Sequence, residues 1–112
     1  MHKAFGAEHH AGTRAEIIAE HDGAQEFSAA RPLALGPDGI TVNLVSPGRI
    51  ESDEDPAERR HELARSRPDD QIPLRRPGAP SDVADVVVAL ARSDFRYVTG
   101  QTIHVSGGFY MG

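Results

Sequence analysis

Residues 36–52 read GPDGITVNLVSPGRIES, and this stretch decides the fold. Its centre, ITVNLVS at 40–46, is β-rich and stands between Pro37-Asp38-Gly39 and Pro47-Gly48. Such proline and glycine clusters punctuate turns, so the segment reads as a strand between two turns. Ile40, Val42 and Leu44 fall on one face and Val45 on the other. A strand with apolar residues on both faces suits a parallel sheet, which is covered on both sides.

Downstream, Asp55-Pro56-Ala57-Glu58 offers an N-cap aspartate, a proline at the first helical position and an early glutamate. This predicts a helix over 56–66. Its apolar side chains are few, mainly Ala57, Leu63 and Ala64, so it is expected to be exposed and loosely held. Residues 72–80, IPLRRPGAP, hold too many prolines for a helix. Ser81 then caps the best helix, predicted over 81–92. Val83, Val86, Val87 and Leu90 follow the i, i+3, i+4, i+7 spacing of one buried stripe. Asp82 and Asp85 stand in its first turn, where the helix dipole favours negative charge. Residues 101–106 read as a second strand, with Ile103 and Val105 facing one way and Thr102 and His104 the other.

Strand, long crossover, helix, strand is a βαβ unit. Its two strands are parallel and its crossover is right-handed in nearly every known case. The expected fold class is therefore α/β, with two adjacent parallel strands and a crossover helix.

Upstream, the composition changes near residue 31. All eight prolines lie at or after Pro32, and four of the six histidines lie at or before His21. Residues 1–12 read as a polar segment. Thr13 with Glu16 reads as a capping box, predicting a short helix over 13–21 that Asp22-Gly23 would stop. Residues 1–31 are expected to be a partly helical or disordered segment, apart from a C-terminal unit at 32–112.

The totals exclude several classes. There is no cysteine, so disulfides, thiolate metal sites and thiol nucleophiles are absent. A net charge of −5 gives no general attraction to nucleic acid or to an anionic membrane. The longest apolar run, 86–91, is far too short to span a bilayer. The N-terminus lacks the apolar core of a secretory signal. A cytoplasmic protein with no nucleic-acid or membrane partner is expected.

Three blocks now stand in order: GPDGITVNLVSPGRIES, IPLRRPGAPSDVADVVVALA and YVTGQTIHVSGGF. Together they resemble the C-terminal part of a short-chain dehydrogenase/reductase, over about 32–111. The resemblance implies a partial Rossmann-like fold that ends a doubly wound sheet. It implies NAD or NADP as cofactor and hydride transfer between NAD(P)H and a carbonyl or alcohol. By resemblance, Pro47 and Gly48 form the turn beside the nicotinamide. Ile50 sits where backbone meets the carboxamide, and Ser52 where the family usually has a threonine hydroxyl. Residues 51–71 resemble the segment that closes over substrate.

Two family features are missing. No glycine-rich turn opens a helix, so nothing presents helix N-terminal N–H groups to a pyrophosphate. The Tyr-x-x-x-Lys pair is also impossible, because the sole lysine, Lys3, has no residue four places before it. Tyr97 is followed at four by Gln101, and the sequence ends two residues after Tyr110. No catalytic residue is therefore assigned, and cofactor binding by this chain alone is not expected.

Phe27-Ser28-Ala29-Ala30-Arg31 has the look of Tyr-Ser-Ala-x-Lys. If it is that site, both working groups are gone: phenylalanine has no hydroxyl, and arginine is not a compact ammonium. Alternatively, residues 30–35 are the end of the family's longer helix. No metal site is assigned, since neither His9, His10 and His21 nor His61 with Glu58 and Glu62 has a zinc-type spacing.

Three accounts of function stay open. The chain is a member or fragment of the oxidoreductase family, inactive alone. Or it is a non-catalytic oligomerisation or binding module. Or it is the product of a truncated or frameshifted gene. For the second, the strand at 40–46 is expected to lose a neighbour and present an edge. That edge would seek a second copy or a full-length relative.

Overall fold

The computed structural model describes residues 2–8, 14–20 and 29–111. The chain order is β1 (His2–Glu8), β2 (Arg14–Glu20), α1 (Ala30–Leu35), β3 (Ile40–Pro47), α2 (Ala57–Ser66), α3 (Pro80–Leu90) and β4 (Thr102–Val105). The four strands form one sheet in the order β1-β2-β3-β4. β2, β3 and β4 run parallel, and β1 pairs antiparallel with β2. The α/β class and the β3–α3–β4 unit match the expectation.

The N-terminal expectation is corrected. Residues 14–20 are a strand, not part of a helix over 13–21, and residues 2–8 form a second strand rather than a merely polar segment. The parallel set therefore has three strands, not two. Arg14-Ala15-Glu16-Ile17-Ile18-Ala19-Glu20 alternates small or apolar residues with others at a period of two. Ala15 and Ile17 point to the core, while Glu16 faces the other way and pairs with Arg31. The adjacent pair Ile17-Ile18 breaks strict alternation and mimics a short helical stripe. β-branched residues prefer the pleated strand once a partner edge exists. That edge is β3, whose register runs from Arg14 opposite Ile40 to Ala19 opposite Val45. Thr13, the other half of the supposed capping box, lies outside the described residues.

It follows that β3 is not an edge strand. It is interior, flanked by β2 and β4, and buried from Thr41 to Pro47. One face of the sheet carries Ala15, Ile17 and Val45, closed by Leu90 of α3. Val83, Val86 and Val87 of α3 pack on this cluster, with Ile103 and Val105 of β4. The valine stripe and the β4 alternation thus fall as the periodicity predicted. Val42 and Leu44 are buried on the opposite face.

A side chain inside β3 fixes the crossover's return. Asn43 is 1% exposed. Its Nδ2 donates to the Val98 carbonyl at 3.0 Å, and its Oδ1 accepts from the Gln101 N–H at 3.0 Å. Beside it, the Gly100 N–H donates to the Val42 carbonyl and the Val42 N–H to the Thr99 hydroxyl. Gly100 holds φ at 75°, in the left-handed region open to glycine. The turn 98–101 is therefore pinned across β3 just before β4 begins.

Two caps differ from expectation. Asp55 does not cap α2; its Oδ2 accepts the Ser52 N–H at 2.9 Å and closes the preceding turn. Ser81 lies inside α3. The capping is done by Asp82, whose Oδ2 accepts the Ala79 N–H at 2.7 Å. That bond, with Arg76 beside it, lowers the Asp82 pKa.

Candidate functional site

Parallel strands end together, and ligands of open α/β sheets bind outside those carboxyl ends. The turn 47–52 leaves β3 at that edge. Pro47 is the last residue of β3, opposite Val105. The Gly48 N–H then donates to the Val105 carbonyl at 2.9 Å. A Cβ at Gly48 would stand 2.7 Å from Ser106 Cβ and 2.9 Å from Ser106 Cα. Glycine is required here by the close packing of β4's end, whether or not a ligand approaches.

Ile50 makes a parallel bridge with Gly78. The bridge uses the Arg49 carbonyl and the Glu51 N–H, each 2.9 Å from Gly78. The N–H and C=O of Ile50 itself therefore point the other way, and no hydrogen bond joins either to the described residues. The Ile50 side chain lies on Gly78, where an added Cβ would come within 2.7 Å of Cδ1. The Ser52 hydroxyl accepts the Glu54 N–H at 3.3 Å, which leaves its proton free to donate.

The four expected residues do not share one cavity. Ile50 lines a cleft of about 530 Å³ with Leu74, Asp82, Val86 and Ile103. Ser52 lines a smaller one of about 260 Å³ with Glu51, Arg60 and Arg76.

Sequence reasoning missed Arg49. Its side chain is 8% exposed and holds three partners around the turn. Nε and Nη2 donate to Glu51 Oε1 at 3.2 and 2.8 Å. Nη1 donates to Asp69 Oδ1 at 2.5 Å and to the Arg67 carbonyl at 3.1 Å. The only signal in the sequence was a cation beside acids at Glu51 and Asp69, a pattern that usually means a solvated surface.

The remaining candidates fall apart. Tyr97 is fully exposed. The Tyr110 hydroxyl accepts from Arg67 Nη2 at 3.1 Å, so it faces a guanidinium and not an ammonium. Arg31 lies on α1 and forms a two-pronged pair with Glu16 of β2, which lowers the Glu16 pKa. Phe27 and Ser28 lie outside the described residues, as do His9, His10 and His21. Among the described residues, no three His, Asp or Glu converge to hold a metal. Nor is any described helix long and apolar enough to cross a membrane.

Comparison with known proteins fits this geometry. A family model described as Enoyl-(Acyl carrier protein) reductase matches residues 23–110, beginning earlier than residue 32. The 3-oxoacyl-[acyl-carrier-protein] reductase FabG of Staphylococcus epidermidis is 45% identical over 91 residues, covering 75% of this chain and 33% of that protein. The FabG of Escherichia coli is 36% identical over 107 residues, covering 89% of this chain and 40% of its own length. Among solved structures, a blue fluorescent protein from a metagenomic library, in complex with NADPH, is 40% identical with a TM-score of 0.60. That match covers 73% of this chain and 32% of the other. The chain thus spans about a third of the length of such relatives. With a family model matched over residues 23–110 and a parallel α/β fold shared with these proteins, the chain belongs to the short-chain dehydrogenase/reductase family of oxidoreductases.

Proposed function

We propose that this chain carries the nicotinamide-side part of an NAD(P)-dependent oxidoreductase site, and that alone it does not complete the reaction. The supporting observation is the backbone of Ile50. Its N–H and C=O, both turned from Gly78, form a donor and acceptor pair at the carboxyl end of β3. A carboxamide carries the complementary acceptor and donor. Pro47 and Gly48 set the turn, and the Ser52 hydroxyl adds a second donor. When bound, NAD(P)H supplies the hydride that reduces a carbonyl. The chain's own residues orient the carboxamide; they hold no proton donor tuned by a lysine. The phosphate end of the cofactor finds no glycine-rich helix start in this sequence.

The test is direct. Millimolar nicotinamide mononucleotide is expected to shift the Ile50 amide resonance, with weaker effects at Gly48 and Ser52. An unmoved Ile50 amide would remove the basis of the proposal. NADH or NADPH titrated against the chain alone is expected to bind more weakly than about 100 μM, a limit worth about 5 kcal/mol. Tighter saturable binding would overturn the assignment of a half-site.

An assembly role is the second reading, and one observation favours it. β4, like β1 at the other side, is an edge strand, with its far edge unpaired among the described residues. Leu74, 64% exposed, lies beside the residues that follow β4, its N–H donating to the Gly107 carbonyl. The partner edge in this reading is β4, since β3 is interior, and the partner is a second copy or a full-length relative. Light scattering at micromolar concentration is expected to give a dimer or larger; a monodisperse monomer counts against it. A cytoplasmic location goes with this reading, given a chain without cysteine.

A further inference from the structure

The segment between Glu51 and Arg67 is unusual in how little holds it. α2 has no buried residue. Among the described residues its side-chain bonds are local, such as Ser66 Oγ to the Leu63 carbonyl, and its one ion pair, Arg59 with Asp55, spans 3.9 Å. A helix with so little packing takes its position from its ends.

Both ends meet at one place. Arg49 holds Glu51 at the start and, at the return, the Arg67 carbonyl and Asp69. The Arg67 side chain is gripped in turn by the C-terminal tail. Its Nη2 donates to the Tyr110 hydroxyl, and its guanidinium carbon stands 5.7 Å from the Tyr110 ring centroid and 6.0 Å from that of Phe109. Cation and ring at such distances attract. The tail is not loose: the Tyr110 N–H donates to Ser106 Oγ at 3.1 Å, and the Phe109 N–H to the Ser106 carbonyl. Ser106 directly follows β4.

We propose that Arg49 and Tyr110 are positioning residues that close a clasp on Arg67, one on its carbonyl and one on its side chain. The clasp makes 52–66 a flap with a single neck. It ties the flap to β3 through Arg49 and to β4 through the tail. Because Arg49 lies between Gly48 and Ile50, it also couples the flap's position to the turn 47–52. That coupling matters for ligand capture only if the nicotinamide reading of Ile50 holds; the clasp itself does not depend on it. Exposed ion pairs contribute little, but the Arg49 side chain is buried, and its loss would leave the partly buried Glu51 without its cation and the Arg67 carbonyl without its donor.

Hydrogen exchange on the full chain, without cofactor, tests this. Arg49→Gln is expected to speed exchange of the α2 amides by tenfold or more, while β3 amides at 42–46 keep their protection. Tyr110→Phe removes one hydroxyl and is expected to give a smaller rise, two- to threefold, in the same amides. Equal rises in α2 and β3 would make Arg49 a prop of the whole fold and overturn the clasp. Unchanged α2 rates in either variant would also overturn it. If Arg49→Gln does not fold, Tyr110→Phe decides by the same readout. Since no dinucleotide is present, failure here is distinct from failure of the Ile50 contact.

Discussion

Replacing Asn43 with leucine is expected to lower the stability of the chain by about 3 kcal/mol. The side chain makes two hydrogen bonds, to the Val98 carbonyl and from the Gln101 N–H, each at 3.0 Å. Leucine has a similar volume, so the loss is not a cavity effect. It is the cost of leaving a carbonyl and an N–H partly buried and unpaired, about 1–3 kcal/mol for each group. The consequence reaches further than the site. Without the clamp, the turn 98–101 is held to β3 only by backbone bonds and Thr99, so β4 loses its starting register. Urea denaturation measures the effect as a lowered midpoint. A loss under about 1 kcal/mol would mean that backbone pairing alone positions β4.

The second large effect is expected at Ile17. Ile17→Ala should cost about 3–4 kcal/mol, within the usual range for a large side chain removed from a packed core. Ile18→Ala should cost about 1 kcal/mol, because Ile18 is only half-buried on the opposite face. Ile17 is 1% exposed and packs with Ala15, Val45 and Leu90. The difference between the two variants reports the strand directly. On a helix, neighbouring isoleucines share one apolar face and should cost similar amounts. On a strand they point to opposite sides. Equal losses in denaturant would reject the pairing of β2 with β3. A loss at Ile17 alone supports residues 14–20 as the neighbour that keeps β3 from being an edge.

Much of the C-terminal fold was legible because its signals are local. The stripe Val83, Val86, Val87 and Leu90 has helical spacing, and α3 buries that stripe. Pro37 and Gly39 before β3, and Pro47 at its last position with Gly48 after it, mark its limits closely. The N-terminus was not legible for the same reason. A pair such as Ile17-Ile18 fits a short strand or a short helix, and a seven-residue segment carries too few periods to choose. The choice was made by the open edge of β3, which no window of sequence displays. Cap residues show the same limit. Asp55 and Ser81 have the right chemistry at the right place, yet Asp55 turned to Ser52, and Asp82 took the capping bond that Ser81 was expected to make.

The sites divide likewise. Pro47, Gly48, Ile50 and Ser52 became candidates by their order in a family-like block, and the lack of a glycine-rich turn and of Tyr-x-x-x-Lys in this sequence was read from the residues present. What the residues alone determined is membership and the βαβ path, because these depend on composition and on neighbours along the chain. Only the tertiary structure decided that Gly48 is packed against Ser106, that Ile50 turns its backbone groups away from Gly78, and that Arg49 and Tyr110 meet at Arg67. Those contacts join residues far apart in the chain, such as Gly48 and Ser106, which meet because the sheet brings the ends of β3 and β4 side by side.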